Sequence, residues 1–382
     1  MARLPLASVT PRPGPRGRLL PTVLGLALAA GLAAPALSQT PSFTLLANPS
    51  RVRGVSTDGR TAAGVGALSI GFVWHADTGR YDFGNEPGIR GSEVYGLSGD
   101  GSTVVGYSDS GTHQRGFTWA GPGTFQLLGT VGSYTESVAR GVSGDGAIVV
   151  GESFDPTGEF GQAFRWTSGG GMQGLGYLVA GSSFSTARAV SRDGSTIVGW
   201  STFPGGGHTD AFRWTSSGGM QPLPSVPGAI GTHALAVNPD GGIISGYADN
   251  GHAVLWLNGQ SLDLGTLPSS TGTAATSVSD DGSVVAGFSY TFPQQAVAWT
   301  PTTGMVPLAD YLTANGVTIP AGWTLSDCMA ISADGTTFAG LASNGALRQG
   351  YIVSVPSPSP LVLGMSSLLV AFRRPSRKAA CP

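Results

Sequence analysis

The chain has 382 residues, of which 41% are hydrophobic and only 11% charged, with a formal net charge of −2. Eight basic residues lie in the two ends, so residues 39–355 hold twelve arginines and no lysine against all 22 acids. This acidic middle disfavours nucleic acids and anionic lipid surfaces as partners, because both are bound through Lys and Arg contacts to phosphate. The hydrophobic content and the short, regular apolar runs exclude disorder, and the 61 glycines with few charges favour an all-β fold with many turns.

The first 38 residues have the composition of a secretory signal peptide. Residues 1–18 carry four arginines and no acid, and residues 19–37 form an apolar run. Ala36 and Ser38 are the small residues of a cleavage site, which predicts removal of residues 1–38 by signal peptidase before Gln39. An uncleaved membrane anchor is the alternative. Both interpretations predict an exported protein.

An Asp-Gly pair recurs seven times along the middle of the chain. Each pair is followed by a glycine six positions after its aspartate, and the aspartates lie 46 residues apart on average, since the first and last are 276 residues apart over six intervals. The aspartates are Asp58, Asp100, Asp145, Asp193, Asp240, Asp281 and Asp334, and the glycines are Gly64, Gly106, Gly151, Gly199, Gly246, Gly287 and Gly340. A period of this size indicates a solenoid, a propeller or an array.

The fourth copy shows the strand pattern of one repeat. Residues 187–191 alternate apolar and polar side chains and form the first strand, and residues 196–200 form the second. The Asp-Gly pair between them tolerates the φ of a tight hairpin turn. Residues 210–215 form a third, aromatic-rich strand, and residues 220–223 a short fourth strand. Four antiparallel strands per repeat are typical of a propeller blade. The sequence therefore predicts an all-β fold, a β-propeller of about seven four-stranded blades over residues 39–355.

The two ends of the repeat region predict how the ring closes. The seventh copy ends at residue 355 after three strands, and residues 43–46 match the fourth strand of the second copy at residues 125–128. We predict that the N-terminal strand completes the last blade, which removes two sheet edges that would invite aggregation. Rings of six or eight blades are the alternatives.

Two further repeat positions carry structural predictions. The fixed glycine lacks a Cβ, so we expect it where inner strands crowd together near the axis. The aromatic of the third strand is expected to wedge between blades rather than bind a ligand. It is Trp74, Trp119, Trp166, Trp214, Trp256 and Trp299 in copies one to six.

The repeat unit resembles the bacterial extracellular HAF repeat. The pattern is Val-Ser-x-Asp-Gly, Val-Val-Gly, Ala-Phe-x-Trp and Gly-Gly-Met-x-x-Leu-Gly, best matched by residues 142–146, 149–151, 163–166 and 170–176. The resemblance covers nearly all of residues 43–355 and implies an extracellular repeat protein. It implies no chemistry, and the histidine of the motif survives only as His252-Ala253.

The chain carries no recognisable catalytic or metal-binding constellation. It lacks a G-x-S-x-G nucleophile elbow, and its five histidines lack metal-ligand spacing, so we predict no catalytic residues, no metal and no cofactor. The seven aspartates of the Asp-Gly pairs are interpreted as structural turn residues. Glu152, Asp155 and Glu159 are interpreted as a solvated acidic loop, and Cys328 as a buried structural thiol.

The least repetitive segment is an insertion before the seventh copy, at residues 308–327. Insertions in repeat proteins map to loops on one face, which is often the binding face. Trp323 and Tyr311, with Asp310 and Asp327, would suit stacking on a sugar ring and recognition of its hydroxyls, and are the candidate ligand-binding residues. The alternative is a short helix that packs beside the last blade.

The C-terminal segment 356–382 has the parts of a sorting signal. A Pro-Ser-Pro linker precedes an apolar run at residues 361–372 and a basic cluster of Arg373, Arg374, Arg377 and Lys378. Twelve apolar residues are short for a membrane span, but they suit transient anchoring held by positive charges. The arrangement resembles the PEP-CTERM signal, although its glutamate is missing. The resemblance implies processing by an exosortase-like enzyme and sorting to the cell surface or extracellular matrix.

Three functions remain open from the sequence. The first is an exported, surface- or matrix-associated, non-enzymatic propeller that binds an extracellular polysaccharide or an envelope protein. The second is a secreted polysaccharide hydrolase or lyase, for which paired carboxylates at a channel mouth would be required. The third is a structural matrix component without a specific ligand.

Overall fold

The structure is a computed structural model that describes residues 40–47, 50–83, 91–268 and 270–356. The predicted signal peptide and residues 357–382 of the predicted sorting signal lie outside these residues. No helix in the described ranges is long and apolar enough to cross a membrane.

The described residues form 28 strands, one α-helix and two 3₁₀ turns. The strands are β1 (Ser42–Leu45), β2 (Ser50–Val55), β3 (Thr61–Gly66), β4 (Gly71–His75), β5 (Gly79–Asp82), β6 (Gly91–Leu97), β7 (Val104–Asp109), β8 (Gln114–Trp119), β9 (Gln126–Leu127), β10 (Glu136–Val142), β11 (Val149–Phe154), β12 (Gly161–Thr167), β13 (Gly171–Gly176), β14 (Ser185–Val190), β15 (Ile197–Thr202), β16 (Thr209–Thr215), β17 (Gly219–Pro222), β18 (Thr232–Val237), β19 (Ile243–Ala248), β20 (Ala253–Leu257), β21 (Gln260–Gly265), β22 (Thr273–Val278), β23 (Val285–Ser289), β24 (Gln295–Thr300), β25 (Gly304–Pro307), β26 (Thr324–Ile331), β27 (Thr337–Ser343) and β28 (Arg348–Ser354). The helix α1 spans Leu308–Ala314, and the 3₁₀ turns are Ala67–Ser69 and Pro204–Gly206.

These strands make seven four-stranded antiparallel sheets, each a blade of one ring. Blades one to six take four consecutive strands each from β2 to β25, and the seventh has the order β1-β28-β27-β26. The first strand of every blade lies innermost, and consecutive inner strands contact each other all the way round, from β2 through β6, β10, β14, β18 and β22 to β26 and back to β2. The fold is a seven-bladed β-propeller, as the sequence predicted.

The N-terminal strand closes the ring, which confirms the prediction. β1 pairs with β28 so that Phe43 lies opposite Val353 and Leu45 opposite Tyr351. The Phe43 and Tyr351 rings stack with centroids 6.0 Å apart. β1 therefore covers the outer edge of β28, which would otherwise present unpaired backbone groups.

Each Asp-Gly turn is held by the same small network of hydrogen bonds. In the third blade, Asp145 Oδ1 accepts the Ser143 hydroxyl at 2.6 Å and the Ala147 N–H at 3.0 Å, while Ser143 Oγ accepts the Ile148 N–H at 2.9 Å. Gly146 takes a φ of 75°, the left-handed conformation that glycine adopts without strain. Six of the seven turns use a serine two residues before the aspartate, and in the fifth blade Asn238 takes its place. The structural interpretation of these aspartates agrees with this geometry.

The fixed glycines do lie at close backbone approaches, but not where strands of different blades converge at the axis. A Cβ on Gly151 would overlap the carbonyl oxygen of Val138, which belongs to the inner strand of the same blade. The same overlap occurs at all seven positions, from Gly64 against Arg51 to Gly340 against Asp327. The cause is a β-bulge in each inner strand, which pushes its carbonyl toward the second strand. The expected location was therefore wrong, although the need for glycine was correct.

The repeat tryptophans wedge between neighbouring blades, as expected. Trp119 of the second blade stacks on Phe83, which follows the last strand of the first blade, with ring centroids 4.5 Å apart. Trp166 packs against Val105 and Leu128 of the second blade. Each such side chain removes on the order of 150–250 Å² from water, so these contacts hold the blades of the ring together.

Candidate functional site

The β-bulges leave one residue of each of the first six inner strands out of the ladder, and two residues of β26, Ser326 and Met329. In the third blade the pairing with β11 passes from Ala139 to Gly141, which leaves Arg140 without a partner. The equivalent residues, called the bulge ring here, are Arg53, Tyr95, Arg140, Arg188, Leu235, Thr276 and Met329. Because the inner strands surround the axis, the bulge ring lies at the axial channel, the space that these seven strands enclose.

The bulge ring is basic on one side and uncharged on the other. Its members in blades one, three and four are arginines, and Tyr95 of the second blade lies between two of them. The Arg53 guanidinium carbon lies 5.3 Å from the Tyr95 ring centroid, and that of Arg140 lies 4.4 Å from it. Both distances are within the range of cation–π attraction. Blades one to four thus present a continuous arc of cationic and aromatic groups.

Arg140 is neutralised by a carboxylate of its own blade. Its Nε donates to Glu152 Oε1 at 2.9 Å, and the Thr186 hydroxyl donates to Glu152 Oε2 at 2.6 Å. Burial opposes the charge of Arg140, but the charge of Glu152 and its hydrogen bond outweigh burial and raise the pKa of Arg140. The expectation of a solvated acidic loop is therefore wrong for Glu152, which is buried in β11. Asp155 instead bonds its own loop, accepting the Thr157 hydroxyl at 2.7 Å.

Arg188 differs from Arg140 because no carboxylate is bonded to it. Within the described residues it forms no ion pair or side-chain hydrogen bond. Burial, followed by the like charge of Arg140, lowers the pKa of Arg188 to about 10. Glu152 acts in the opposite direction, but its oxygens are already bonded to Arg140 and Thr186.

Aromatic and titratable groups of blades four and five lie beside Arg188. The His233 ring stacks on Tyr247 with centroids 4.4 Å apart and meets Trp200 edge-on at 5.3 Å. Burial lowers the pKa of His233, and Asp249, 3.7 Å from its Nδ1, acts against that effect. Burial raises the pKa of Asp210, which lies 3.8 Å from His208 Nε2.

The propeller has two faces with different surfaces. The turn face carries the seven Asp-Gly turns, and the loop face carries the connections between second and third strands and those between blades. The described part of the loop face exposes six large apolar side chains, in five different connections: Leu68, Phe160, Ile230, Tyr290, Phe292 and Leu347. The described Asp-Gly turns expose no side chain of this kind.

Leu68 is the most unusual of these apolar residues. It is 88% exposed and has a φ of 59°, in the left-handed region that a leucine adopts only at a cost of roughly 1–2 kcal/mol. The next residue, Ser69, has a φ of 55°. Backbone strain of this kind is concentrated at binding and catalytic sites.

The insertion lies on the loop face, between blades six and seven. Its first part is the helix α1, the alternative that the sequence left open. Tyr311 and Trp323 are partly buried against the core cluster that contains Leu308 and Leu312. Tyr311 meets Phe338 edge-on at 5.6 Å, and burial raises its pKa.

The structure does not bring the four predicted ligand-binding residues to one surface. Asp310 is exposed in the first turn of α1, while Asp327 is fully buried in β26. Asp327 accepts hydrogen bonds from Arg51 and from the Leu341 N–H, the latter at 3.0 Å. Trp323 and Tyr311 keep a partly exposed side on the loop face, and only these two and Asp310 are accessible from there.

A cavity of about 170 Å³ opens at the turn face, bounded by all seven blades. Backbone hydrogen bonds between neighbouring blades surround it, such as Thr57 N–H to Gly99 O at 2.8 Å and Gly144 N–H to Arg192 O at 3.0 Å. Arg192 of blade four and Asp280 of blade six form a 3.2 Å ion pair across it. This pair spans the cavity mouth, so the turn-face end of the channel is partly covered.

No cluster of three or more His, Cys, Asp or Glu side chains in the described ranges has the arrangement of a metal site. Cys328 is fully buried, and burial raises its thiol pKa to about 12, which confirms a structural role. Of the buried acids in the described residues, Glu152 and Asp327 are bonded to arginines, and Glu136 accepts the Gln114 N–H and contacts His113. Their oxygens therefore serve the fold.

Sequence reasoning missed the bulge ring. Each of its members lies five residues before the aspartate of its Asp-Gly pair, so aligned copies place three arginines and a tyrosine in one column. That column was a usable signal. The aligned copies do not show the β-bulge, and it is the bulge that leaves this strand position without a partner in the ladder.

Comparisons with known proteins identify no family for the chain. No family model matches it. No curated protein matches it. Among solved structures, it is similar to the crystal structure of TolB from Acinetobacter baumannii, with 12% identity and a TM-score of 0.44 over 68% of this chain. The match covers 63% of that TolB chain, less than two thirds of its length.

Proposed function

We propose that this protein is an exported, surface- or matrix-associated, non-enzymatic propeller that binds a protein or glycan through its loop face. The observation that carries the proposal is the set of exposed apolar side chains on that face. Export and sorting rest on the composition of residues 1–38, which resemble a signal peptide, and of residues 356–382, which resemble a sorting signal.

The chemistry of the loop face favours a protein over a glycan as the ligand. Leu68, Ile230 and Leu347 are exposed aliphatic side chains, which contact apolar protein surface. Sugar rings stack on aromatic faces instead. The exposed aromatics Phe160, Tyr290 and Phe292 lie in only two of the five connections, and Trp323 and Tyr311 of the insertion are partly packed against the core. We therefore take an envelope or matrix protein as the first ligand class and a polysaccharide as the second.

A binding experiment with matched variants tests this function. The purified protein is compared with the triple variant Leu68→Ser, Ile230→Ser, Phe292→Ser, called the loop-face variant here. The control is the double variant Leu127→Ser, Leu262→Ser, whose leucines are exposed on outer strands. Binding is measured to purified envelope proteins and to matrix polysaccharides. Loss in the loop-face variant with retention in the control supports the proposal. Equal binding by both variants would show that the ligand contacts another surface, and no binding by the folded wild type would favour a structural matrix component.

The Trp323→Ala variant tests whether a polysaccharide binds at the insertion. Polysaccharide binding that is lost in Trp323→Ala and kept in the loop-face variant would place a glycan site at the insertion. Protein binding that survives Trp323→Ala would leave the aliphatic residues as the contact surface.

One observation favours the hydrolase alternative. The pKa of Asp210 is raised by burial, and the nearby charge of Asp249 adds to that effect. Glycoside hydrolysis uses a pair of carboxyl groups, one of which must hold a proton as the general acid, and a raised pKa suits Asp210 to that role. Release of reducing sugar from a polysaccharide that is abolished by Asp210→Asn would establish this activity. Unchanged release in Asp210→Asn and Asp249→Asn would assign it to a contaminant.

A further inference from the structure

Two of the four arginines at the inner strands are bonded to a carboxylate. Arg51 Nε donates to Asp327 at 3.1 Å, and Arg140 Nε donates to Glu152 at 2.9 Å. The charge of Glu93 acts on Arg53 and partly offsets the burial that lowers its pKa. Neither Arg53 nor Arg188 is bonded to a carboxylate in the described residues, and Glu152, whose charge acts on Arg188, is bonded to Arg140 and Thr186.

The surroundings of Arg188 make its isolation costly. Burial and the like charge of Arg140 both act against its positive charge, and its other neighbours are the rings of Tyr95 and Tyr247. Arg188 is half-buried, and a cation that is partly withdrawn from water beside a like charge, without a bonded counter-ion, is unfavourable. The positive charge of Arg188 at the axial channel is therefore not balanced by a bonded carboxylate of the described residues.

A second observation concerns another arginine of the arc. The Nε of Arg53 is buried and lacks a hydrogen-bond partner among the described residues. Buried donors are nearly always bonded, so each exception calls for an explanation. Arg53 and Arg188 are the two ends of the arc, on blades one and four, with Tyr95 and Arg140 between them.

We propose that the axial channel binds an oxyanion, a carboxylate, sulfate or phosphate group, with Arg188 as its main contact and Arg53 as a second donor. Guanidinium groups suit this role because their planar fork of N–H donors matches the oxygens of these anions. The uncharged bulge residues Leu235, Thr276 and Met329 line the other side of the ring, so the anion is held on the side of blades one to four. This site is separate from the loop-face surface and does not depend on the proposed function.

Equilibrium dialysis of the purified protein against radiolabelled sulfate and phosphate tests the site directly. We expect one anion per wild-type chain, and at least tenfold weaker binding in Arg188→Met. Arg348→Met is the matched control, because Arg348 is exposed at the start of β28. Binding retained in Arg348→Met and in the loop-face variant would confirm that the channel holds the anion. Equal binding by Arg188→Met and wild type, or no binding by wild type, would overturn the proposal.

Thermal melting gives the second readout and a test of folding. Sulfate and phosphate stabilise many proteins by exclusion from their surfaces, so the informative quantity is the difference between variants at equal ionic strength. We expect Arg188→Met to melt no lower than wild type in chloride buffer and to lose the additional stabilisation by sulfate. If Arg188→Met does not fold, Arg188→Gln and Arg53→Met are measured in the same way, and wild-type-like anion stabilisation in both would overturn the proposal.

Competition experiments identify the source of the anion. Glucuronate displacing labelled sulfate, with glucose inactive, would indicate an acidic sugar. Displacement by an acidic peptide at lower concentration than by glucuronate would indicate a protein side chain. Displacement by inorganic phosphate alone would indicate a free ion. Each of these outcomes requires an anion at Arg188, and failure of all three to compete would contradict the site.

Discussion

Arg51 of the first blade and Asp327 of the seventh form an ion pair across the closure of the ring, although 276 residues separate them. Asp327 is fully buried and also accepts the Leu341 N–H at 3.0 Å. The pair therefore connects the blade that begins the repeat array with the blade that ends it.

Removing Asp327 is expected to destabilise the ring strongly. Asp327→Ala leaves Arg51 without its partner in a mostly buried site, and breaking a buried pair in this way costs about 3–5 kcal/mol. Urea denaturation measures the free energy of unfolding. Asp77→Ala is the control, since Arg60 and Asp77 form an exposed pair that is worth at most about 1 kcal/mol. Similar losses in the two variants would show that the closure pair has no special role.

Deleting the N-terminal strand is expected to open the last blade. A chain that begins at residue 48 exposes the edge of β28, so we expect a lower melting temperature and self-association through that edge. The control begins at Gln39 and retains β1. Light scattering at several concentrations measures the association, and a peptide of residues 40–47 added in trans should suppress it. A truncated chain that stays monomeric and melts like the control would contradict this closure.

Adding one methyl group at a fixed glycine is expected to disturb its blade. In Gly151→Ala the new Cβ would meet the Val138 carbonyl oxygen, so the strands must separate at a cost of about 1–3 kcal/mol. Gly169→Ala serves as the comparison, because nothing lies within 4 Å of the Cβ position at Gly169. Its effect should stay within about 0.5 kcal/mol. Chemical denaturation of both variants measures the difference, and equal values would argue against the crowding.

The Asp-Gly turns predict a loss of stability in acid. The Ser143 hydroxyl lowers the pKa of Asp145, and the equivalent serines do the same for Asp58 and Asp193. In Asp100 and Asp281 burial opposes this, but hydrogen bonds from serine and backbone donors prevail. Because the folded pKa values lie below the ordinary value of about 3.9, the unfolded chain binds more protons in acid. The contribution is complete above about pH 5 and is lost as the pH falls through the folded values.

Denaturation curves between pH 7 and pH 3 measure this effect. Asp145→Asn keeps an acceptor oxygen in the turn but removes the titrating group, so the fall in stability with acid should be shallower. Asp240→Asn is the matched control, since Asn238 replaces the serine in that turn. Identical pH profiles for wild type and Asp145→Asn would show that the turn carboxylates do not govern acid stability.

The repeat pattern was sufficient to predict the seven blades, the turns and the wedged tryptophans. Asp145 and Gly146 encode a local hairpin, and local turn chemistry can be read from neighbouring residues. Closure by Phe43 and Leu45 was also predictable, because the seventh copy lacked a strand that the N-terminus supplied.

The channel site could not be predicted in the same way. Whether Arg140 lies out of the ladder depends on a one-residue bulge, an extra residue in one strand that the alternation of apolar and polar side chains did not reveal. The interpretation of Glu152 failed for the same reason. Its neighbours Asp155 and Glu159 indicated a loop, whereas Glu152 faces Arg140 across the bulged pair of strands.

The position of β1 in the seventh blade also sets the order of folding. Ser42 pairs with Ser354, so the first strand of the propeller remains unpaired until the last strand has been synthesised. Contacts between such distant segments form late and slowly, because a long loop must close before they contribute. Blades one to six can assemble from neighbouring residues, whereas the seventh can be finished only by joining the two ends. A chain that ends before residue 348 would therefore remain an open ring with unpaired sheet edges at its two ends. Only the complete repeat region can form a closed ring.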